Sequence, residues 1–159
     1  MDSAYFSDDT TEFIRLLAKY KVKYLIVGGE AVIYYGYPRL TGDVDFFYSN
    51  DSDNVRSLFN ALLEFWDDDI PGIDDQKDLS TPGYVIQFGL PPNRIDIMNS
   101  IEGVSFEEAW ENRKTEFIRS DQQDFPIYYL GLKELIINKR ETGRQKDMDD
   151  LDYLKNIEN

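Results

Sequence analysis

The chain has 159 residues, 42% hydrophobic and 14% aromatic, which suits one globular domain with a real core and is too apolar for a disordered segment. Its 31 acidic against 17 basic residues give a formal charge of −14, a balance that disfavours non-specific binding to nucleic acid through Lys and Arg contacts to phosphate. With no Cys and no His, disulfides, thiolate-held zinc and any triad with a His base are excluded, so catalysis must run on carboxylates, lysine, tyrosine or metal ions.

In chain order, Thr10-Thr11-Glu12 leads into Phe13, Ile14, Leu16, Leu17 and Tyr20, a helical spacing with capping residues in front. Tyr24–Val27 is a short apolar run that reads as a buried strand and stops at Gly28-Gly29. A short helix over about Glu30–Tyr35 follows, ending at Gly36 before Pro38. Asp43–Tyr48 is the next strand, and Val55–Trp66 carries the apolar stripe of an amphipathic helix. Residues 67–82 are acidic, hold two prolines and lack periodicity, so they read as a loop. Tyr84–Phe88 and Arg94–Met98 read as strands, then come a helix over Phe106–Asn112 and short strands over Thr115–Ile118 and Ile127–Leu130. Two helices close the chain, about Leu132–Thr142 and Met148–Ile157. The order points to an α+β (mixed α/β) architecture, with a core over about residues 10–130 and a C-terminal helical pair over about 131–157, all in one domain spanning 1–159.

Three carboxylates stand out. Asp43 and Asp45 are two apart in a strand and therefore share a face, and Asp96 needs only a neighbouring strand to join them. Other Asp-x-Asp pairs, Asp51/Asp53 and Asp67/Asp69, lie in polar loop sequence, whereas Asp45 leads into Phe46-Phe47 and Asp96 sits between Ile95 and Ile97. An ionised carboxylate in such a strand is costly unless it is paired or metal-bound. Either the three share a hard divalent cation such as Mg2+, or the strand has one solvated face, or Asp96 pairs with Arg94 or Arg39.

Gly28-Gly29 removes side chains where backbone could approach phosphate, although a two-glycine turn after a strand is also a common structural device. Leu132, Leu135, Ile136 and Lys139 share one helical face, so Lys139 either snorkels to its edge or points into a cleft. Asp147 shares a face with Leu151 and Leu154, and with Asp150 three residues on it reads equally as a helix cap. Lys133, Lys139, Arg140, Arg144 and Lys146 form the one dense basic segment. Tyr34, Tyr35 and Tyr37 either stack a base or pack a helix end.

Val27-Gly28-Gly29, the later Asp43-Val44-Asp45-Phe46 and then Ile95-Asp96-Ile97 together resemble the signature of the DNA polymerase beta-like nucleotidyltransferase superfamily. Arg39, Thr41, Asp43 and Asp45, with Lys139 and the Lys146-Asp147 pair, are similar to motifs of the small bacterial abortive-infection (toxin–antitoxin) nucleotidyltransferases. Glu30 departs from the pattern, since Ser is frequent around this turn in the superfamily. The resemblance implies a minimal nucleotidyltransferase fold, a mixed sheet flanked by helices. It implies transfer of an NMP from an NTP such as ATP, with Mg2+ or Mn2+ held by Asp43, Asp45 and Asp96. On the same resemblance Asp43, Asp45, Asp96 and Asp147 are catalytic, while Gly28, Gly29, Arg39, Thr41, Lys139 and Arg144 bind nucleotide. RNA, a protein or a small molecule would be the acceptor, with a cognate antitoxin or toxin as a further partner. The rival expectations are a catalytically silent nucleotide-binding or partner-binding module of the same fold, and an acidic antitoxin-like interaction protein. No leader sequence or membrane-length apolar run is visible, so a cytoplasmic location is expected.

Overall fold

A computed structural model describes residues 1–2 and 4–158. Its elements are α1 (Asp8–Lys19), β1 (Tyr24–Val27), α2 (Gly28–Tyr34), β2 (Asp43–Tyr48), α3 (Ser52–Phe65), a 3₁₀ turn (Gln76–Ser80), β3 (Val85–Phe88), β4 (Arg94–Met98), α4 (Phe106–Glu111), β5 (Lys114–Ile118), β6 (Phe125–Tyr129), α5 (Leu132–Thr142) and α6 (Gln145–Glu158). The six strands form one mixed sheet in the order β3-β4-β2-β1-β6-β5, an α+β fold as the sequence implies. β1 runs antiparallel to β2 and parallel to β6, and β2 runs parallel to β4.

Alternation along the strands divides the core between the two faces. Tyr24, Ile26, Val44, Phe46, Tyr48, Ile95 and Ile97 join Phe13, Leu17, Val55, Leu58 and Leu62 of α1 and α3. Leu25, Val27 and Phe47 turn to the other face, against Ala31, Val32, Phe106, Leu135, Ile136, Leu151 and Leu154 of α2, α4, α5 and α6. All four residues of β1 are buried, as a strand covered by helices on both faces requires. Period 2 therefore sends Asp43, Asp45 and Asp96 to the α5–α6 face, each two residues from a partner on that side.

Several boundaries differ from the sequence reading, each for a local reason. α1 begins at Asp8 because Ser7 accepts a hydrogen bond from the Thr10 amide and caps it. α3 begins at Ser52, three residues ahead of its apolar stripe, with the Asp51 carboxylate as its cap. In the acidic stretch 67–82, Asp75 and Asp78 form a reciprocal capping box around the 3₁₀ turn, so residues 76–80 are ordered rather than a plain loop. α2 starts at Gly28 and α6 at Gln145, both earlier than expected.

Candidate functional site

The parallel register of β2 and β4 places Asp43 opposite Arg94 and Asp45 opposite Asp96, while antiparallel β1 sets Val27 beside Asp45. One oxygen from each of Asp43, Asp45 and Asp96 lies within 4.8 Å of the others. Proximity of this kind between carboxylates needs compensation, and Arg94 supplies part of it. Its guanidinium donates to Asp43 Oδ2 at 2.6 Å and to Asp96 at 2.8 and 3.0 Å. Gln87 Nε2 donates to Asp96 Oδ2 at 3.3 Å, and the Thr41 hydroxyl donates to Asp43 Oδ1 at 3.2 Å. Pairing of Asp96 with Arg94, the alternative to a shared cation, is present within the cluster. It does not complete the charge balance.

Asp45 is the unbalanced member. Its Oδ1 is buried with no hydrogen-bond partner. Burial, then the neighbouring charges of Asp43 and Asp96, push its carboxyl up to about 7, against the opposing pull of Lys139 and Arg94. The backbone in front of it is shaped for close approach. Gly28 has φ +66°, and a Cβ there would sit 2.3 Å from Asp45 Oδ2. A Cβ on Gly29 would meet Thr41 Oγ1 at 2.8 Å and Arg39 Cζ at 3.6 Å. A buried, unpartnered oxygen within an all-carboxylate donor set fits a hard divalent cation such as Mg2+ or Mn2+.

Behind this cluster, α5 and α6 bring together a second group of charges. Lys139 is 3% exposed and takes neither the edge position nor an open cleft. Its Nζ bonds Asp147 Oδ1 at 3.1 Å and Asp150 Oδ2 at 3.0 Å. Asp150 Oδ2 also accepts from Arg39 at 2.6 Å. Asp147 is not the helix cap that spacing allowed. It lies inside the first turn of α6 and reaches back to the Arg144 backbone N–H at 3.2 Å and guanidinium Nε at 2.7 Å. Those bonds to Arg144, with that from Lys139, outweigh the desolvation of Asp147 and hold its carboxyl below the ordinary range. Lys133, Arg140 and Lys146 are exposed and stand outside this group.

The aromatic and acidic residues around α2 are engaged in packing. Tyr34 stacks on Tyr129 at 4.1 Å and donates to Glu116, Tyr35 donates to the Leu130 carbonyl, and Tyr37 stacks on Tyr153 at 4.8 Å. The three tyrosines pack the protein. Glu30 accepts a hydrogen bond from Tyr5 at 3.0 Å, and burial raises its carboxyl above the ordinary value. A separate recess of about 490 Å³, lined by Lys21, Lys23, Asn54, Phe106 and Trp110 among others, opens at the far end of β1 and β2 and holds none of the three carboxylates. Size alone does not make it the site.

Residues 8–157 match the model of a family described as nucleotidyltransferase of unknown function (DUF6036). The chain belongs to this family. The match runs from the first residue of α1 nearly to the end of α6, so the family's span takes in both the carboxylate cluster and the Lys139 group. No curated protein matches the chain. Two residues of the family chain's charged region escaped the sequence reading in their present roles. Arg94 was visible as a partner of Asp96 but not as a bridge to Asp43, which depends on strand register. Asp150 was visible only as a capping partner, although its place one turn from Asp147 on the buried stripe of α6 was the available signal.

Proposed function

We propose that the chain is a metal-dependent nucleotidyltransferase of the DNA polymerase beta-like kind, moving an NMP from an NTP to an acceptor. The observation that carries this reading is the buried, unpartnered Oδ1 of Asp45 inside a cluster of three carboxylates that has one guanidinium for compensation. Asp43, Asp45 and Asp96 hold Mg2+ or Mn2+, which when bound neutralises the triphosphate and polarises the phosphorus under attack. Gly28 and Gly29 keep the space beside Asp45, Thr41 and Arg39 free of side chains, so phosphate can approach the backbone. Arg39 and Thr41 line that space, and Lys139 and Arg144 add positive charge behind it. Asp147 orients both of the latter through its two oxygens.

In the reaction an acceptor oxygen forms a bond to the α-phosphorus, the bond from that phosphorus to the bridging oxygen breaks, and pyrophosphate leaves. Asp96, its oxygens aligned by Arg94 and Gln87, takes the acceptor's proton. The acceptor is RNA, a protein or a small molecule, and the −14 charge argues against a long nucleic acid. A toxin–antitoxin or other defence setting in the cytoplasm, with a cognate partner and with ATP among the donors, is the context the sequence resemblance suggests. Residues 1–159 act as one domain, a reading supported by a family match that spans nearly all of them. Among the described residues no helix is long and apolar enough to cross a membrane.

A second reading is a catalytically silent module, favoured by one observation. Arg94 already bridges Asp43 and Asp96, as a site without a metal would need. Incubation with each α-labelled NTP, Mg2+ or Mn2+ and cell extract separates the two. Transfer that falls by roughly a hundredfold or more in Asp43→Ala and Asp45→Ala supports the enzyme. Absence of transfer from the wild type, with nucleotide-induced thermal stabilisation retained, supports the silent module.

A further inference from the structure

Arg39 belongs to no helix or strand; it lies in the segment joining α2 to β2. Among the described hydrogen bonds its guanidinium is held by Asp150 Oδ2, 2.6 Å away on α6 and 111 residues distant in sequence. The same oxygen takes Lys139 Nζ at 3.0 Å, and the Asp150 side chain is 2% exposed. At its other end the guanidinium borders the cradle, with Cζ 3.6 Å from the point a Gly29 Cβ would occupy. α6 also grips this segment one turn further on. Tyr153 donates to the Tyr35 carbonyl at 3.2 Å and stacks on Tyr37.

With Asp150 buried and Arg39 partly exposed, this ion pair is a poor device for stability alone, because desolvation of the carboxylate offsets much of the attraction. It ties a loop cation to a rigid helix beside the candidate site. The balance of charge fits the same role. Asp147 and Asp150 face Lys139, Arg39 and Arg144, which leaves a positive surplus next to the carboxylate cluster. We propose that Asp150 is a positioning residue, holding Arg39 at the Gly29 cradle as a contact for the triphosphate and anchoring Lys139 behind it. This rests on the nucleotidyltransferase reading and adds a residue that reading did not require.

The test is a double-mutant cycle on nucleotide affinity, measured by calorimetry on the full chain with Mg2+ and the four α,β-methylene NTP analogues. Arg39→Ala and Asp150→Asn are each expected to weaken binding roughly ten- to a hundredfold, the range of a hydrogen bond to a charged group. The double variant is expected to bind no more weakly than the worse single one. Tyr153→Phe loosens the same segment without touching the pair and is expected to stay within about twofold, at an effect near the limit of such measurements. Asp150→Asn that lowers Tm yet leaves affinity unchanged overturns the proposal, as do losses that multiply in the double variant. Should Asp150→Asn not fold, Arg39→Ala decides alone, and unchanged affinity again overturns it. If the wild-type chain binds none of the analogues, the nucleotidyltransferase reading falls and this proposal falls with it.

Discussion

Two groups of carboxylates share one face of the sheet, and they are treated in opposite ways. On α6, Asp147 and Asp150 are almost fully buried, and each is met by cations of the chain itself, Lys139 with Arg144 or Arg39. On β2 and β4, Asp43 and Asp96 share Arg94, and Asp45 beside them keeps a buried oxygen with no partner. In the first group every carboxylate is met by the chain's own cations, with one positive charge to spare, and the group holds two helices and a loop together. The second is incomplete by about the charge of one divalent cation. Burial of acid therefore does not single out the candidate site in this molecule; uncompensated burial does.

That contrast has opposite signs for stability, which is the sharpest way to break it. Asp147→Asn leaves Lys139 and Arg144 short of their carboxylate and is expected to destabilise the chain by about 3–5 kcal/mol, the usual cost of removing one partner of a buried pair. Asp45→Asn removes a strained charge and is expected to stabilise the metal-free chain at pH 8 by about 2–4 kcal/mol. Denaturant unfolding of both variants checks the pair, and destabilisation by Asp45→Asn would erase the distinction.

The same signs govern pH. Asp45 is raised, so below about pH 4 it is protonated folded or unfolded and costs nothing. Between about 4 and 7 the unfolded chain ionises first, and this part of the stability is lost as pH rises. Asp147 is lowered, so its contribution is present above the ordinary carboxylate range and disappears as pH falls through its folded value. In metal-free unfolding curves from pH 4 to 8, Asp45→Asn is expected to flatten the decline towards neutral pH, whereas a variant at an exposed carboxylate such as Asp53→Asn leaves it in place.

Smaller effects on the β2–β4 cluster follow from the same charges. Mn2+ at a hundred times its pH 8 Kd is expected to stabilise the wild type by about 2.7 kcal/mol at pH 8, and the same concentration by less at pH 6, where Asp45 holds its proton. Arg94→Gln withdraws the chain's own counter-charge from Asp43 and Asp96, and is expected to tighten Mn2+ binding while lowering metal-free stability slightly. Weaker Mn2+ binding in that variant would mean that Arg94 orders the site rather than competing for it.

The α+β class and most elements were legible because the apolar residues repeat at short periods, 3.6 in α1 and α3 and 2 over the first half of β2 and over β4. The pairing of Asp43 with Asp45 was legible for the same reason. What period cannot show is register. The bridge from Arg94 to Asp43 follows from β2 and β4 running parallel with those two residues opposed. Asp150 was hidden further, since its partner Arg39 lies in a segment with no periodicity at all. Glu30 looked like an anion beside the glycines, but its bond to Tyr5, from a segment ahead of α1, accounts for its carboxylate. Boundaries moved where caps decided them, as at Asp51 and Asp75, because a cap acts ahead of the apolar stripe that reveals a helix.

The most direct measurement is a titration of the metal-free chain with Mn2+, following free Mn2+ by electron paramagnetic resonance at pH 8. Saturable binding by the wild type is expected, with loss of that binding in Asp45→Asn and retention in Asp53→Asn on an exposed helix start. Binding that is unchanged in Asp45→Asn, or that falls equally in both variants, would contradict the claim that the β2–β4 carboxylates form the cation site.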